Sequence, residues 1–123
     1  MSHTPQRIFV VEDEVLVAFE MTDVLEDLGF EVIGPSVHLE DAEAKARDDD
    51  IDLAFLDVNL GQGKTSKPVV DILKERGIPY AFITAYDKEQ ISFATSDDRV
   101  LKKPVTSKRL LETLRRMFPD IET

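Results

Sequence analysis

Residues 7–14 read RIFVVEDE, and residues 51–59 read IDLAFLDVN. Each is a run of β-prone apolar side chains that stops at acids. Ile8-Phe9-Val10-Val11 leads into Glu12-Asp13-Glu14, and Leu53-Ala54-Phe55-Leu56 leads into Asp57. An unbroken apolar run suits a strand covered on both faces, as in a parallel sheet. The strands are therefore placed at Arg7–Glu12 and Ile51–Val58. Between them the pattern turns helical from Val15 to Leu28, where Val17, Met21, Val24, Leu25 and Leu28 fall on one stripe, and Gly29 is a stop.

The same alternation continues on both sides. Glu31–Gly34 reads as a short strand closed by Gly34-Pro35, and Leu39–Asp48 as a helix. After the loop NLGQGKTS at 59–66, Ser66 is placed to cap a helix carrying Val69, Val70, Ile72 and Leu73 that ends at Gly77. Tyr80–Ala85 is a fourth strand, Asp87–Thr95 a short helix and Arg99–Lys103 a fifth strand stopped by Pro104. Thr106 or Ser107 caps a last helix with Leu110, Leu111, Leu114, Met117 and Phe118 on its stripe. The expected fold is α/β: a doubly wound, five-stranded parallel sheet with five helices on its two faces.

The 123 residues suit one domain with its own core. Cysteine is absent, which excludes disulfides, thiolate metal sites and a cysteine nucleophile. No apolar run approaches the ~20 residues of a membrane span, and MSHTPQR at the start lacks a hydrophobic signal core, so a cytoplasmic location is expected. The net charge is −10, and residues 1–50 hold 14 acids against 3 bases. Such a chain suits divalent cations or basic protein surfaces and is poorly matched to nucleic acid. His3 and His38 are read as surface residues, and GQGK at 61–64 lacks the spacing of a nucleotide phosphate loop.

In a doubly wound sheet, ligands bind beyond the carboxyl ends of the strands, at the switch point of strand order. The strand ends here carry Glu12-Asp13-Glu14, Asp57, Thr84 and Lys103. Taken singly, these are ordinary helix-start acids, a turn acid, a β-former and a strand-end charge. Their convergence on one rim is what carries information. Converging carboxylates stay ionised only with a cation, and Mg²⁺ takes oxygen ligands from a few carboxylates, a phosphate and water. Asp13 and Asp57 are candidate direct ligands, and the Asn59 backbone carbonyl a third. A carboxylate is also a nucleophile towards phosphorus. Thr84 would then hydrogen-bond one phosphoryl oxygen and Lys103 pair with another.

The pieces FVVEDE at 9–14, LDVNL at 56–60, FITAY at 82–86 and KKP at 102–104 stand in the order and context found in receiver domains of two-component response regulators. The chain resembles that family, of CheY-like, flavodoxin-like fold, along its whole length. The resemblance implies one receiver domain over residues 1–123, with no output domain in this chain. It implies Asp57 as phosphoacceptor, with Thr84 and Lys103 assisting. Asp13 would be a direct Mg²⁺ ligand, Glu12 would act through water, and Asn59 would offer its carbonyl. Lys103-Pro104 is often a cis peptide in this family. The phosphoryl donor would be a histidine kinase or histidine phosphotransfer protein. The chain would catalyse only its own phosphoryl transfer and autodephosphorylation, act through altered protein binding, and be a monomer or weak dimer. Leu16 and Phe19 extend the first helix's apolar arc, either as a wide buried face or, as the resemblance implies, as a docking patch for the donor, with Pro104 nearby.

One position departs from the family pattern. Val100 stands where most receivers carry a switch aromatic three residues before the lysine. The stretch PYAFITAY at 79–86 resembles a subgroup with a PFxFATGY-like fourth strand, many of whose members stand alone in bacterial general stress signalling. Tyr86 is the candidate substitute aromatic. Three other readings compete. A pseudo-receiver would bind partners without phosphorylation; the acidic pair, Asp57, Thr84 and Lys103 argue against it, and Val100 keeps it in play. A Mg²⁺-dependent aspartyl-phosphate hydrolase would want a second Asp where Asn59 stands. A flavin binder would need a hydroxyl-rich loop where Glu12-Asp13-Glu14 stand.

Overall fold

In the computed structural model the described residues are 7–85, 91–93 and 99–118. Five strands, β1 (Arg7–Val11), β2 (Glu31–Ser36), β3 (Leu53–Asp57), β4 (Tyr80–Thr84) and β5 (Arg99–Lys102), form one sheet in the order β2-β1-β3-β4-β5. Every neighbouring pair is parallel, with Phe9 opposite Ala54, Leu56 opposite Phe82 and Thr84 opposite Lys102. Because the chain steps from β1 out to β2 and then back past β1 to β3, the strand order reverses between β1 and β3. The carboxyl ends of those two strands therefore open a crevice at the switch point.

The apolar runs explain the two-sided core. Successive side chains on a strand point to opposite faces. Phe9, Val11, Ala54, Leu56 and Phe82 bury one face against α2 (Leu39–Asp48) and α3 (Lys67–Arg76) through Ala42, Ala46, Val69, Val70 and Leu73. Ile8, Val10, Leu53, Phe55 and Ile83 bury the other face against α1 (Val15–Asp27) and α4 (Ser107–Met117) through Met21, Leu25, Leu110 and Leu114. Both faces are covered, so Phe9, Phe55 and Phe82 are fully buried. Burying each such ring stabilises the fold by about 1.5–3 kcal/mol relative to exposure.

The described residues carry four helices where five are expected. Most of the expected helix at 87–95 lies outside the described residues, and 92–93 form a turn. Other expectations are corrected locally. Strand β2 does not close at Gly34-Pro35 but runs on to Ser36, with a register shift against β1 and a cis Gly34-Pro35 peptide. Gly34 makes this possible: its φ is +95°, and a Cβ there would lie 2.7 Å from the Ser36 nitrogen. Ser66 is the N-cap residue of α3, but its side chain makes no capping bond and its hydroxyl is buried without a partner. Thr106 does cap α4, accepting from the Arg109 N–H at 3.2 Å. Leu111, Met117 and Phe118 are half-buried rather than fully core.

The wide-buried-face reading of α1 is overturned. Among the described residues, Val15, Leu16 and Phe19 are the exposed large apolar side chains, Leu16 being 79% and Phe19 56% exposed. They sit on the side of α1 turned away from Ala18, Met21 and Leu25.

Candidate functional site

Strand β1 ends in Val11, so the next three residues turn out of the sheet at its carboxyl rim. The Glu12 N–H still donates to the Ser36 carbonyl at 3.0 Å, holding the residue against the β2 end. This fixes Glu12 as a buried residue, 1% exposed. One of its oxygens, Oε2, accepts the Glu14 N–H at 3.1 Å. Asp13 is half-buried and Glu14 exposed, because α1 begins immediately after and carries them toward solvent.

Asp57 is the last residue of β3, paired in register with Ile83 of β4, and is buried. Its Oδ1 accepts the Val58 N–H at 2.8 Å. Carboxylate oxygens of Glu12, Asp13, Glu14 and Asp57 all lie within 4.8 Å of one another. Thr84 ends β4, is buried, and its carbonyl accepts the Lys103 N–H at 2.8 Å. That bond directs Lys103 back over the rim. Its Nζ donates to Asp57 Oδ2 at 3.1 Å and to Glu14 Oε1 at 2.8 Å. It also lies 2.8 Å from Glu12 Oε1, as an ion pair outside hydrogen-bond geometry, so that oxygen has no donor. The Lys103-Pro104 peptide is cis.

The electrostatics follow from four carboxylates around one ammonium. Burial raises Glu12 from 4.5 to about 8; the Asp57 carboxylate adds to the rise and Lys103 opposes it. Asp13 is raised as well, by burial and then by Asp57. Burial alone would lower Lys103, but the close Glu12 and Glu14 carboxyls and the charge of Asp57 outweigh it and raise the ammonium. The donor set is all oxygen, excess in negative charge, and includes the unpartnered buried Oε1 of Glu12. That combination fits a hard dication held partly through water.

The loop after Asp57 closes over this rim. The Leu60 N–H donates to the Lys64 carbonyl at 2.9 Å, Ser66 N–H to the Val58 carbonyl at 2.8 Å, and Asn59 bridges to Thr65. Gly61, at φ +81°, brings backbone close to the acids: a Cβ there would lie 3.6 Å from Asp13 Oδ2. Asn59 is exposed at the base of this loop.

The structure thus brings together Glu12, Asp13, Glu14, Asp57 and Lys103, with Thr84 at the adjoining strand end and Asn59 at the base of the loop that follows Asp57. Leu16 and Phe19 stand apart on α1. Pro104 is exposed and, with Lys103, Glu14, Val17, Met21 and Ile83, lines a groove of about 380 Å³ between α1 and the start of α4. Tyr86 lies outside the described residues. Val100, half-buried on β5, packs against the core of Phe82, whose ring meets those of Tyr80 and Phe93 edge-on at 5.5 and 5.6 Å. The sequence places Glu14 among the acids at the rim but assigns it no role. Its contact with Lys103 spans 89 residues, and the one signal for it was its place in an unbroken run of three acids.

No helix among the described residues is long and apolar enough to cross a membrane. The family model for the response regulator receiver domain matches residues 8–115. The solution structure of SdrG from Sphingomonas melonis Fr1 is 37% identical, with a TM-score of 0.80, covering 95% of this chain and 98% of that one. SdrG in a beryllofluoride-activated conformation, from Pseudomonas melonis Fr1, is also 37% identical, with a TM-score of 0.74, covering 88% of this chain and 92% of that one. The phyllosphere-induced regulator PhyR of Methylorubrum extorquens is 33% identical over 82 residues, which are 65% of this chain and 31% of that protein. The transcriptional regulatory protein PdtaR of Mycobacterium tuberculosis is 24% identical over 87 residues, 71% of this chain and 42% of that protein. The chain spans less than half the length of these two curated relatives. With the sheet order, the switch-point acids and the rim lysine in place, the chain belongs to the response regulator receiver domain family.

Proposed function

We propose that this chain is a phosphoacceptor response regulator that takes a phosphoryl group onto Asp57 from a phosphohistidine and signals through altered protein binding. The observation that carries this reading is Lys103 Nζ at 3.1 Å from Asp57 Oδ2 within a cluster of four carboxylates. An Asp57 carboxylate oxygen forms the new P–O bond as the donor's P–N bond breaks. The imidazole leaves with the electron pair and returns to its neutral form by taking a proton from solvent. Lys103 offsets charge on a phosphoryl oxygen, and the Thr84 hydroxyl donates to another. Asp13, Asp57 and the Asn59 carbonyl would hold Mg²⁺, with Glu12 reaching it through water. When bound, that ion supplies charge neutralisation for the phosphoryl oxygens.

The donor is a histidine kinase or phosphotransfer protein that docks a helix on Leu16, Phe19 and the Pro104 groove. Support comes from the exposure of these apolar residues and from Lys103 and Glu14 lining both groove and site. The acyl phosphate adds roughly −1.5 to −2 charge at neutral pH, which draws Thr84 and Lys103 toward it and changes the surface carried by β4 and β5. The beryllofluoride-activated form of SdrG is in keeping with this reading, because beryllofluoride occupies the place of a phosphoryl group.

Intact mass after incubation with acetyl phosphate and Mg²⁺ tests it. The wild type gains one phosphoryl mass only with Mg²⁺, and Asp57→Asn gains none. A gain that survives Asp57→Asn moves the acceptor elsewhere. No gain, together with no beryllofluoride binding, favours a partner-binding module without phosphorylation.

A further inference from the structure

Lys103 has more partners at the rim than it can keep once a phosphoryl group arrives. Its ammonium donates to Glu14 Oε1 at 2.8 Å and Asp57 Oδ2 at 3.1 Å, and pairs with Glu12 Oε1 at 2.8 Å. An ammonium has three N–H donors. Two of them bond Glu14 and Asp57, and Glu12 Oε1 crowds the ammonium at 2.8 Å, so a phosphoryl oxygen on Asp57 competes with a carboxylate for its place. The three carboxylates are not equal in what release costs. The Glu12 side chain is 1% exposed, so water cannot replace the ammonium beside its unpartnered Oε1. Asp57 is the acceptor itself and stays within reach. The Glu14 side chain is 60% exposed, so water replaces the ammonium at small cost.

We infer that Glu14 is a positioning residue, a detachable clamp that parks Lys103 at the mouth of the site in the unphosphorylated chain and lets go when Asp57 carries phosphate. This inference rests on the phosphoacceptor reading of Asp57. The geometry has two further consequences. Glu14 lies on the first residue before α1 and lines the groove where the donor would dock, so a donor surface at this place meets the clamp directly. The clamp also ties the start of α1 to the turn after β5, two elements far apart in sequence, and phosphorylation would cut that tie.

The test compares wild type with Glu14→Gln, which keeps the shape and hydrogen-bonding length but removes the charge. The first readout is the Lys103 side-chain ammonium resonance in ¹⁵N-lysine-labelled, Mg²⁺-free protein. In the expected result this resonance moves in Glu14→Gln, and the two proteins converge once Mg²⁺ and beryllofluoride are added. The second readout is the rate of phosphoryl gain from acetyl phosphate at saturating Mg²⁺, expected to rise about 3- to 10-fold in Glu14→Gln, with Glu14→Asp closer to wild type. An unmoved Lys103 resonance overturns the clamp, as does a difference that persists with beryllofluoride, or an unchanged or slower rate. If wild type gains no phosphoryl group and binds no beryllofluoride, the reading of Asp57 fails, and the metal-free resonance still decides whether Glu14 holds Lys103.

Discussion

At the amino end of the sheet, Arg7 Nε lies 3.0 Å from Glu31 Oε2, its guanidinium 3.8 Å from Asp50, and its N–H donates to Asp52 at 2.7 Å. Arg76 adds bonds to the carbonyls of Ala46 and Asp49 at 2.7 and 2.8 Å. These acids are solvent-exposed, and basic side chains and backbone groups partner them where water already screens the charge. At the carboxyl end, Glu12 and Asp57 are buried, Asp13 is half-buried, and Lys103 is shared among three carboxylates. Both ends are acidic, so composition alone does not separate them. The difference is desolvation: one end holds screened surface pairs worth about 0–1 kcal/mol each, the other holds charge that the fold itself leaves unbalanced. Excess negative charge inside a crevice suits a cation, the part that the proposed function gives to Mg²⁺.

The sharpest break of this contrast is at Lys103. Replacing it by Met removes the cation that faces the acceptor, and the rate of phosphoryl gain from acetyl phosphate falls by about 10²-fold or more. A fall of less than 3-fold in a mass-spectrometric time course would place the needed charge elsewhere.

Next comes Glu12. Its carboxyl, raised to about 8 from 4.5, keeps a proton in the folded chain that the unfolded chain has released. The sign follows: without Mg²⁺, this stability is present below pH 4.5 and is lost as pH rises through about 8. Urea titrations of metal-free Glu12→Gln at pH 8.5 should therefore exceed wild type by about 2 kcal/mol, with the gap closing toward pH 5. Arg7→Ala at the opposite rim should change stability by less than about 1 kcal/mol, and less again in high salt. Equal responses at the two rims would erase the contrast. Because Mg²⁺ needs the deprotonated acids, its affinity should rise over the same pH range.

Phe19→Ser is the smallest of these effects on the site itself. Transfer from a phosphohistidine protein should slow about tenfold, the size of one exposed apolar anchor of about 1.4 kcal/mol, while uptake from acetyl phosphate stays at the wild-type rate. A loss with both donors would mean that α1 supports the site rather than the donor.

Much of this was legible in the sequence, for identifiable reasons. Buried parallel strands are unbroken apolar runs, and the switch-point rule turns strand ends into a list of candidate residues: Glu12, Asp13, Glu14, Asp57, Thr84 and Lys103. What escaped depends on which side chains meet after folding. Glu14 is placed at the rim by its strand end, but its pairing with Lys103 shows only once the turn after β5 is in place. Leu16 and Phe19 fit an apolar stripe equally well whether a neighbour covers them or solvent does. Gly34-Pro35 reads as a stop, yet a glycine at positive φ lets β2 reach Ser36 opposite Val11. Ser66 stands at a cap position but leaves its hydroxyl unpartnered, which residue type alone does not reveal.

The most direct test maps backbone amide shifts on adding Mg²⁺ and beryllofluoride together. The account predicts movement at Asp13, Asp57, Thr84 and Lys103, still spectra at Arg7, Glu31 and Asp52, and no response in Asp57→Asn. No shift at the carboxyl rim, or shifts that persist in Asp57→Asn, would contradict it.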